Sequence, residues 1–362
     1  MANSSGDHPH FHRFPQSKSV DCVRFLPPIS PFSRFVAAAV TDPDSASSPS
    51  SIDIHSLTLD PNPNLSPVSS FPTHSKISSL KPSRTHHRTQ IPLAFSTFSG
   101  SVGFLFVDPV DGSVESAVSA DGVHRGAVSA VDVADGGGEA VSVGEDGRVR
   151  VVGVGEGRLE TAAVGDGKGL AAYTAVRWGA PAEFATGGLG FGLRWWDRRR
   201  PGGVVSQFKG NSARGSLTGM VHSIDIHPSR KHICVVGGSS GTIFAWDLRW
   251  QQQPIMLSGV GLGGTGQSAS ESEVWEVQYD SHTQSSNISS APSTRILPVM
   301  MCSEDGILSV IELGEEPVEL LAEPCAINAF DIDPQNPSDV ICALEWETIG
   351  FLMRPREITG MY

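Results

Sequence analysis

The sequence predicts an all-β fold made of many short antiparallel strands, and three observations support this prediction. Apolar and polar residues alternate over short runs that end at Gly, Ser or Pro, as in the stretch 222–249. The 39 Gly and 25 Pro residues suit the many turns between such strands, and 39% hydrophobic residues are enough for a packed core. No window keeps a 3.6-residue apolar period over a dozen positions, so we expect little helix.

An inner-strand pattern repeats along the chain. It has apolar residues at its first, fourth and sixth positions, as in Val221-x-x-Ile224-x-Ile226. Seven copies, the second of them degenerate, begin 45 to 57 residues apart, at residues 20, 77, 128, 173, 221, 274 and 327. A WD-repeat propeller blade has about 40–45 residues and four strands. The sequence therefore predicts a seven-bladed WD40-type β-propeller.

Two blades carry the Trp-Asp dipeptide that ends a WD repeat. The segment GGLGFGLRWWD (187–197) aligns without gaps with GGSSGTIFAWD (237–247), which assigns two structural pairs, Trp196-Asp197 and Trp246-Asp247. An Asp before the turn glycine marks two other blades, at Asp146-Gly147 and Asp305-Gly306. No blade has all of the His, Ser, Asp and Trp residues that form the hydrogen-bond network of a complete WD repeat. We therefore expect the packing of the strands to stabilise the fold.

The last copy is followed by only two more strands, so its blade lacks the outermost one. Residues 10–17 can supply it, and pairing the two ends of the chain would remove the open sheet edges. We therefore predict one propeller over residues 10–356, between a disordered N-terminus (1–9) and a C-terminal tail (357–362). Polar runs rich in Ser, Pro or Gly predict four flexible loops: 41–51, 60–70, 258–272 and 280–293.

Charge and composition narrow the function classes. A net charge of −13 argues against direct binding of nucleic acid, which normally needs a basic face. The five cysteines form no CxxC pair and are interpreted as reduced, structural thiols. No apolar run approaches the ~18 residues of a membrane span, and the N-terminus lacks a signal-peptide core. We expect an intracellular protein without membrane insertion.

Motifs that could indicate an enzyme lack the surroundings that the chemistry requires. Gly261-x-Gly263-x-x-Gly266 spells a dinucleotide fingerprint, but no strand–helix unit surrounds it. The segment 237–241 spells a nucleophile elbow, but it lies between two strands. His8, His10 and His12 have the spacing of metal ligands, but lie at a polar terminus. We predict no enzyme activity, no cofactor and no metal.

What remains is a surface for holding partners, as propellers usually provide. The large aromatic residues are candidate contacts: Trp195, Trp250, Trp275 and Trp346. Of these Trp250, at the end of a blade, is the preferred one, and Arg199 and Arg249 join it as tentative interaction residues.

Three segments resemble the family of forty-three-kilodalton WD-repeat nucleoporins: ESEVWEVQY (271–279), CSEDGILSVIEL (302–313) and AINAFDIDPQNPSDVICALEWETI (326–349). The resemblance implies a non-enzymatic scaffold in the outer-ring, Y-shaped complex of the nuclear pore, at the nuclear envelope. It implies other nucleoporins as partners, with docking on a helical-solenoid subunit in the short arm. It also implies a role in pore assembly and nucleocytoplasmic transport, including mRNA export.

Two other functions stay open at this point. The endings Trp196-Asp197-Arg198-Arg199 and Trp246-Asp247-Leu248-Arg249 fit the WDxR motif by which propellers dock on the adaptor of a cullin-type ubiquitin ligase. The same arginine is common in WD repeats because it caps a strand end on the solvated rim. A reader of peptides or histone tails would instead need acidic and aromatic side chains at the mouth of the channel.

Overall fold

Each copy of the inner-strand pattern begins a four-stranded antiparallel sheet in the computed structural model of the protein. The structure describes residues 9–28, 30, 33–42, 50–83, 90–164, 171–209, 211–212, 215–216, 219–249, 255–257, 272–283, 296–313 and 315–355.

The strands of the first half are β1 (His10–Pro15), β2 (Ser19–Phe25), β3 (Phe35–Thr41), β4 (Ser50–Thr58), β5 (Asn64–Thr73), β6 (Ile77–Pro82), β7 (Ile91–Thr97), β8 (Val102–Val107), β9 (Val114–Ala120), β10 (Val128–Val133), β11 (Glu139–Gly144), β12 (Val149–Val154), β13 (Leu159–Ala163), β14 (Tyr173–Ala180), β15 (Glu183–Gly188), β16 (Gly192–Asp197) and β17 (Val204–Lys209). Those of the second half are β18 (Asn211–Ser212), β19 (Gly215–Ser216), β20 (Val221–Ile226), β21 (Ile233–Gly238), β22 (Phe244–Asp247), β23 (Ile255–Met256), β24 (Val274–Tyr279), β25 (Val299–Ser303), β26 (Ile307–Ile311), β27 (Val318–Ala322), β28 (Ile327–Ile332), β29 (Asp339–Leu344) and β30 (Thr348–Met353). One helical turn covers residues 281–283 of the described chain.

The sheets are the seven blades of a propeller, which confirms the predicted fold class. Blades 1 to 6 are β2–β5, β6–β9, β10–β13, β14–β17, β20–β23 and β24–β27. A small hairpin, β18–β19, lies between blades 4 and 5. Because every blade has four strands, each inner strand begins on the same side of the ring. We call this side the upper face, and it carries the connections between blades and the turns between second and third strands. The opposite side is the lower face.

Blade 7 closes the ring as predicted. It consists of β28, β29 and β30 with the N-terminal strand β1 as its outermost member. The antiparallel register runs from His10 opposite Met353 to Pro15 opposite Thr348. The amide of Gln16 extends the pairing by donating to the carbonyl of Glu347 at 2.7 Å. The two ends of the chain thus share one sheet.

The spacing of the repeated pattern has a structural cause. Side chains alternate between the two sides of a regular strand, so apolar residues at positions one and four would point to opposite sides. All seven inner strands have a register shift after position one, as between Val221 and Ser223. The extra residue returns positions one, four and six to the same side. A β-bulge therefore produces the pattern by which the blades were found.

The hydrophobic core lies between neighbouring blades. Trp178 and Phe184 of blade 4, for example, pack with Val141 of blade 3. Glycines make room for this contact: a Cβ built on Gly237 would lie 2.6 Å from the side chain of Val274, which is position one of the next blade. Gly187, its equivalent in blade 4, faces Val221 in the same way at 2.5 Å. The paired glycines of the aligned segments thus allow close packing between blades.

One loop prediction is wrong. Residues 64–70 belong to β5, which continues to Thr73 in spite of Pro67 and Pro72. Proline is tolerated here because β5 is the outermost strand of its blade, where one side needs no ladder hydrogen bonds. Most of the other predicted loops and both predicted ends lie outside the described residues. This applies to residues 43–49 of the loop 41–51, 258–271 of the loop 258–272, 284–293 of the loop 280–293, the N-terminal residues 1–8 and the C-terminal tail 357–362.

Candidate functional site

The Trp-Asp pairs lie at the lower-face ends of the third strands in blades 4 and 5. Trp196 and Trp246 are both buried, and the indole N–H of Trp196 donates to Oγ1 of Thr186 at 2.9 Å. Trp196 also stacks on Phe184, with 5.8 Å between ring centroids. These tryptophans therefore pack within and between blades and offer no surface to a partner.

The arginines of the WDxR endings fold back on their own aspartates. Arg199 Nε lies 2.8 Å from Oδ1 of Asp197, and Arg249 Nη2 lies 2.7 Å from Oδ2 of Asp247. These hydrogen bonds lower the pKa of both aspartates. The arginine side chains are 67% and 61% exposed. They sit on the solvated lower rim, each already engaged in a local ion pair.

The Asp-Gly turn of blade 3 is held by a histidine that the sequence analysis missed. His124 Nδ1 lies 2.9 Å from Oδ1 of Asp146, and its Nε2 lies 2.9 Å from the hydroxyl of Ser142. Asp146 also accepts the backbone N–H of Arg125 at 3.1 Å. The signal was available, since His124 comes four residues before an inner strand. Blade 3 thus has the His, Ser and Asp of the WD network without its Trp.

The Asp-Gly turn of blade 6 is built more simply. Asp305 accepts the hydroxyl hydrogen of Ser303, and its own N–H donates to Ser272 Oγ at 2.9 Å. Gly306 has a φ of 81°, and a Cβ there would lie 2.1 Å from the carbonyl oxygen of Glu323. Only glycine fits this turn, because both the conformation and the space exclude a side chain.

The candidate tryptophans are in different environments. Trp346 is 63% exposed at an upper-face turn of blade 7, whereas Trp195 is buried. Trp275 is half-buried against His222, and its indole N–H donates to Glu304 at 2.6 Å. Trp250 lies outside the described residues. Trp346 is the one of these four that the structure shows as an open aromatic surface.

The fifth position of every inner strand contributes to a ring of polar side chains around the central channel: Arg24, Lys81, Asp132, Arg177, Asp225, Gln278 and Asp331. They line a cavity of about 350 Å³ that opens toward the lower face. Arg177 pairs with the aspartates on both sides of it, at 3.5 Å to Asp132 and 2.9 Å to Asp225. This part of the ring is therefore neutralised by its own members.

Three aspartates of the ring, in blades 3, 5 and 7, also join their own blade to the next one. Each accepts the backbone N–H at position six of the following inner strand. The distances are 2.6 Å from Trp178 to Asp132, 2.9 Å from Tyr279 to Asp225 and 2.8 Å from Phe25 to Asp331. The last of these bonds lies at the closure between blades 7 and 1. These three N–H groups lie on the side of the inner strand that has no neighbouring strand. They are thus paired with side chains across the blade boundary.

A buried ion cluster crosses the channel. Glu276 of blade 6 accepts from Arg24 of blade 1 at 2.8 Å and from Lys81 of blade 2 at 3.2 Å. Burial by itself raises the pKa of Glu276, but the charges of Arg24 and Lys81 outweigh it and hold the pKa below its ordinary value. Arg24 also donates to the carbonyl of Phe330 at 2.9 Å. The cluster lies in the wall of the channel cavity and connects blades 1, 2, 6 and 7.

These features describe a closed ring of blades and show no catalytic constellation among the residues described. In that part of the chain, no group of three or more His, Cys, Asp or Glu side chains is placed to bind a metal ion. No helix there is long and apolar enough to cross a membrane. The segment 237–241 connects β21 to β22 directly, without the helix that a nucleophile elbow requires.

Comparison with known proteins identifies the family. The nuclear pore complex protein NUP43 of Arabidopsis thaliana is 55% identical to the chain in an alignment of 357 residues that covers 95% of this chain and 97% of that protein. The chain belongs to the Nup43 family of nucleoporins. The resemblance seen in the sequence is thereby confirmed.

More distant members of the Nup43 family match over a shorter stretch. Nucleoporin Nup43 of Homo sapiens is 34% identical and that of Mus musculus 32% identical over 119 residues, which are 32% of this chain and 24% of each animal protein. No protein-family model matches the chain. Membership in the Nup43 family therefore rests on the alignment with the plant protein.

Proposed function

We propose that this chain is a non-enzymatic scaffold subunit of the outer-ring, Y-shaped complex of the nuclear pore. The observation that carries the proposal is the 55% identity with a plant nuclear pore protein along nearly the whole of both chains. In this function the chain resides at the nuclear envelope and supports pore assembly and nucleocytoplasmic transport, including mRNA export. It binds other nucleoporins, one of them a helical-solenoid subunit of the short arm.

The geometry supports a scaffold role. Pairing of β1 with β30 covers the outer edge of β30, and it ties the last blade to the first because β1 leads directly into β2. The Arg24–Glu276–Lys81 cluster holds the blades in place around the channel. In this proposal partners contact the two faces and the rim. In this proposal Trp196, Trp246 and the Asp-Gly turns at Asp146 and Asp305 shape the blades that present those surfaces.

The ligase-receptor alternative has no support in the comparisons, in which the matching proteins are nucleoporins. Arg199 and Arg249 are held by their own aspartates, as expected of residues that cap a strand end. The geometry therefore gives no reason to prefer adaptor docking.

Two measurements test the proposal. A fluorescent fusion of the full chain, expressed in plant cells, should mark the nuclear rim in a punctate pattern. Affinity purification of the same fusion should recover outer-ring nucleoporins in stoichiometric amounts, and Arg249→Ala should not change that recovery. A diffuse fusion that recovers a ligase adaptor, and loses it on Arg249→Ala, would overturn the proposal.

A further inference from the structure

A groove lies on the lower face at the boundary between blade 6 and the ring closure. It has a volume of about 780 Å³. Its walls come from β26 and β27 of blade 6 with the turn between them, from the helical turn at 281–283, and from the chain ends that flank β1 and β30. The apolar residues along it are Pro9, Val310, Val318, Leu320 and Pro355. A groove of this size accommodates several side chains of a partner.

The base of the groove is fixed by a buried ion pair. Arg354 Nη1 and Nη2 lie 2.8 and 2.9 Å from the two carboxylate oxygens of Asp280. Burial by itself raises the pKa of Asp280, but the hydrogen bonds and charge of Arg354 outweigh it and lower the pKa. The charge of Arg354 is thus used within the protein, and it is not available to attract an acidic ligand.

The rim of the groove is acidic. Residues 312–322 carry four carboxylates and no Lys or Arg. Glu315 and Glu316 are exposed on the groove, and no described side chain forms an ion pair with either. The equivalent turn of blade 2 uses its carboxylates differently, since Asp108 and Asp111 accept backbone N–H groups of that same turn. Glu315 and Glu316 therefore present negative charge for which no described side chain supplies a counter-charge.

Large apolar side chains accompany this charge. Val318 is 60% exposed and Leu313 is 43% exposed, on either side of the acidic turn. Exposed apolar groups rimmed by charge are typical of sites of protein association. Nucleic acid does not fit, because its phosphates would meet the carboxylates.

We propose that this blade 6–7 groove binds a basic, amphipathic segment of a partner protein. Apolar side chains of the segment pack on Val318, Leu320 and Pro355, and its Lys or Arg side chains lie along Glu315 and Glu316. Opposite charge along the rim sets the orientation and speeds association, while the apolar contacts supply affinity. In one respect this rests on the proposed function: the partner is taken to be another subunit of the nuclear pore.

A defined peptide tests the groove with the purified full chain. The probe is fluorescein-labelled LKKLLKLLKKLLKL, which is basic on one side as a helix, and its acidic counterpart LEELLELLEELLEL is the control peptide. Binding is measured by fluorescence anisotropy at low and high salt. We expect the basic probe to bind, and to bind more weakly at high salt, because the charges are solvent-exposed.

Matched variants locate the binding. Glu315→Lys/Glu316→Lys and, separately, Val318→Asp should each weaken binding of the basic peptide about tenfold. The control Glu156→Lys/Glu160→Lys makes the same charge change in blade 3, at the equivalent turn and at the start of the strand that follows it. It should alter the affinity less than about twofold. If the Lys variant does not fold, as judged by its melting curve, Glu315→Gln/Glu316→Gln takes its place.

Several results would overturn the groove proposal. One is an equal loss in the blade 3 control, which would indicate general attraction to an acidic protein. Another is equal binding of the acidic peptide. A third is a marked gain in affinity on deleting residues 357–362, which would make the chain's own tail the occupant. The fluorescent fusion separates this inference from the proposed function. Absence of the wild-type fusion from the nuclear rim would contradict the proposed role at the pore, whereas binding of the basic peptide by the purified chain tests the groove.

Discussion

Arg24 of blade 1 and Glu276 of blade 6 form a buried ion pair across the channel, with 2.8 Å between Nη2 and Oε1. The two blades are not neighbours, because blade 7 separates them in the ring. The guanidinium also donates to backbone carbonyls of blades 2 and 7, at Leu80 and Phe330. One side chain therefore holds four blades in position around the axis.

Removing the carboxylate of this cluster should destabilise the fold strongly. Glu276→Gln leaves the cations of Arg24 and Lys81 facing a neutral amide, and loss of one partner from a buried pair costs about 3–5 kcal/mol. Urea unfolding of the purified chain measures the change. The matched control Glu160→Gln breaks an exposed pair with Arg158 and should cost less than about 1 kcal/mol. Equal urea midpoints for the two variants would contradict the prediction.

His227 should make stability depend on pH in the weakly acidic range. Its buried ring accepts the N–H groups of Ser229 and Arg230 at Nδ1, at 3.2 and 3.0 Å, and so must be neutral. Burial, followed by the positive charges of Arg230 and His232, lowers its pKa from 6.5 to about 4. The unfolded chain therefore binds a proton that the folded chain does not. The stabilisation is complete above pH 6.5 and is lost as the pH falls toward about 4.

The measurement is the free energy of unfolding in urea at pH 7.5 and pH 5.5. Wild type should be less stable at the lower pH, and His124 contributes with the same sign because burial also lowers its pKa. His227→Asn keeps an acceptor near the position of Nδ1 but does not titrate, so its loss of stability over this interval should be smaller. Parallel curves for wild type and variant would exclude His227 as the cause.

The inner strands could be predicted from the sequence because one device shapes all seven. The bulge after position one forces the apolar spacing of three and then two residues, so each copy could be located even where turn motifs were lost. The outer strand β5 could not, since Pro67 and Pro72 in a polar run are typical of a loop. Such composition is compatible with a strand only at a sheet edge, and edge position follows from tertiary structure.

The channel ring could not be predicted for a different reason. Its members share the fifth position of the pattern but not a residue type, so no motif links Arg24 with Asp132 or Gln278. Contacts across the channel join residues as far apart in the sequence as Arg24 and Glu276. Such pairs can be identified only from the geometry of the closed ring. Composition shows that charges are present; the fold decides which of them neutralise each other.

Close packing between blades should make Gly237 intolerant of even a small side chain. Gly237→Ala places a Cβ 2.6 Å from Val274 and 2.8 Å from Val277, and overpacking of a core costs about 1–3 kcal/mol. Gly138→Ala is the control, because a Cβ there meets nothing within 4 Å. Thermal unfolding compares the two. The double variant Gly237→Ala/Val274→Ala should lose less stability than the sum of the two single losses, because Val274→Ala removes the atom that the new Cβ meets. Strict additivity would show that these residues do not interact.

Deleting residues 1–17 should open the ring. The deletion removes β1 and its six residue pairs with β30, together with the ion pair between Arg13 and Glu323. It leaves the outer side of β30 unpaired, which both lowers stability and creates an edge that other chains can join. We expect a markedly lower melting temperature and concentration-dependent association in size-exclusion chromatography. Deleting residues 1–8, which precede the strand, should change neither, and a melting curve for the longer deletion that matches wild type would show that closure does not depend on β1.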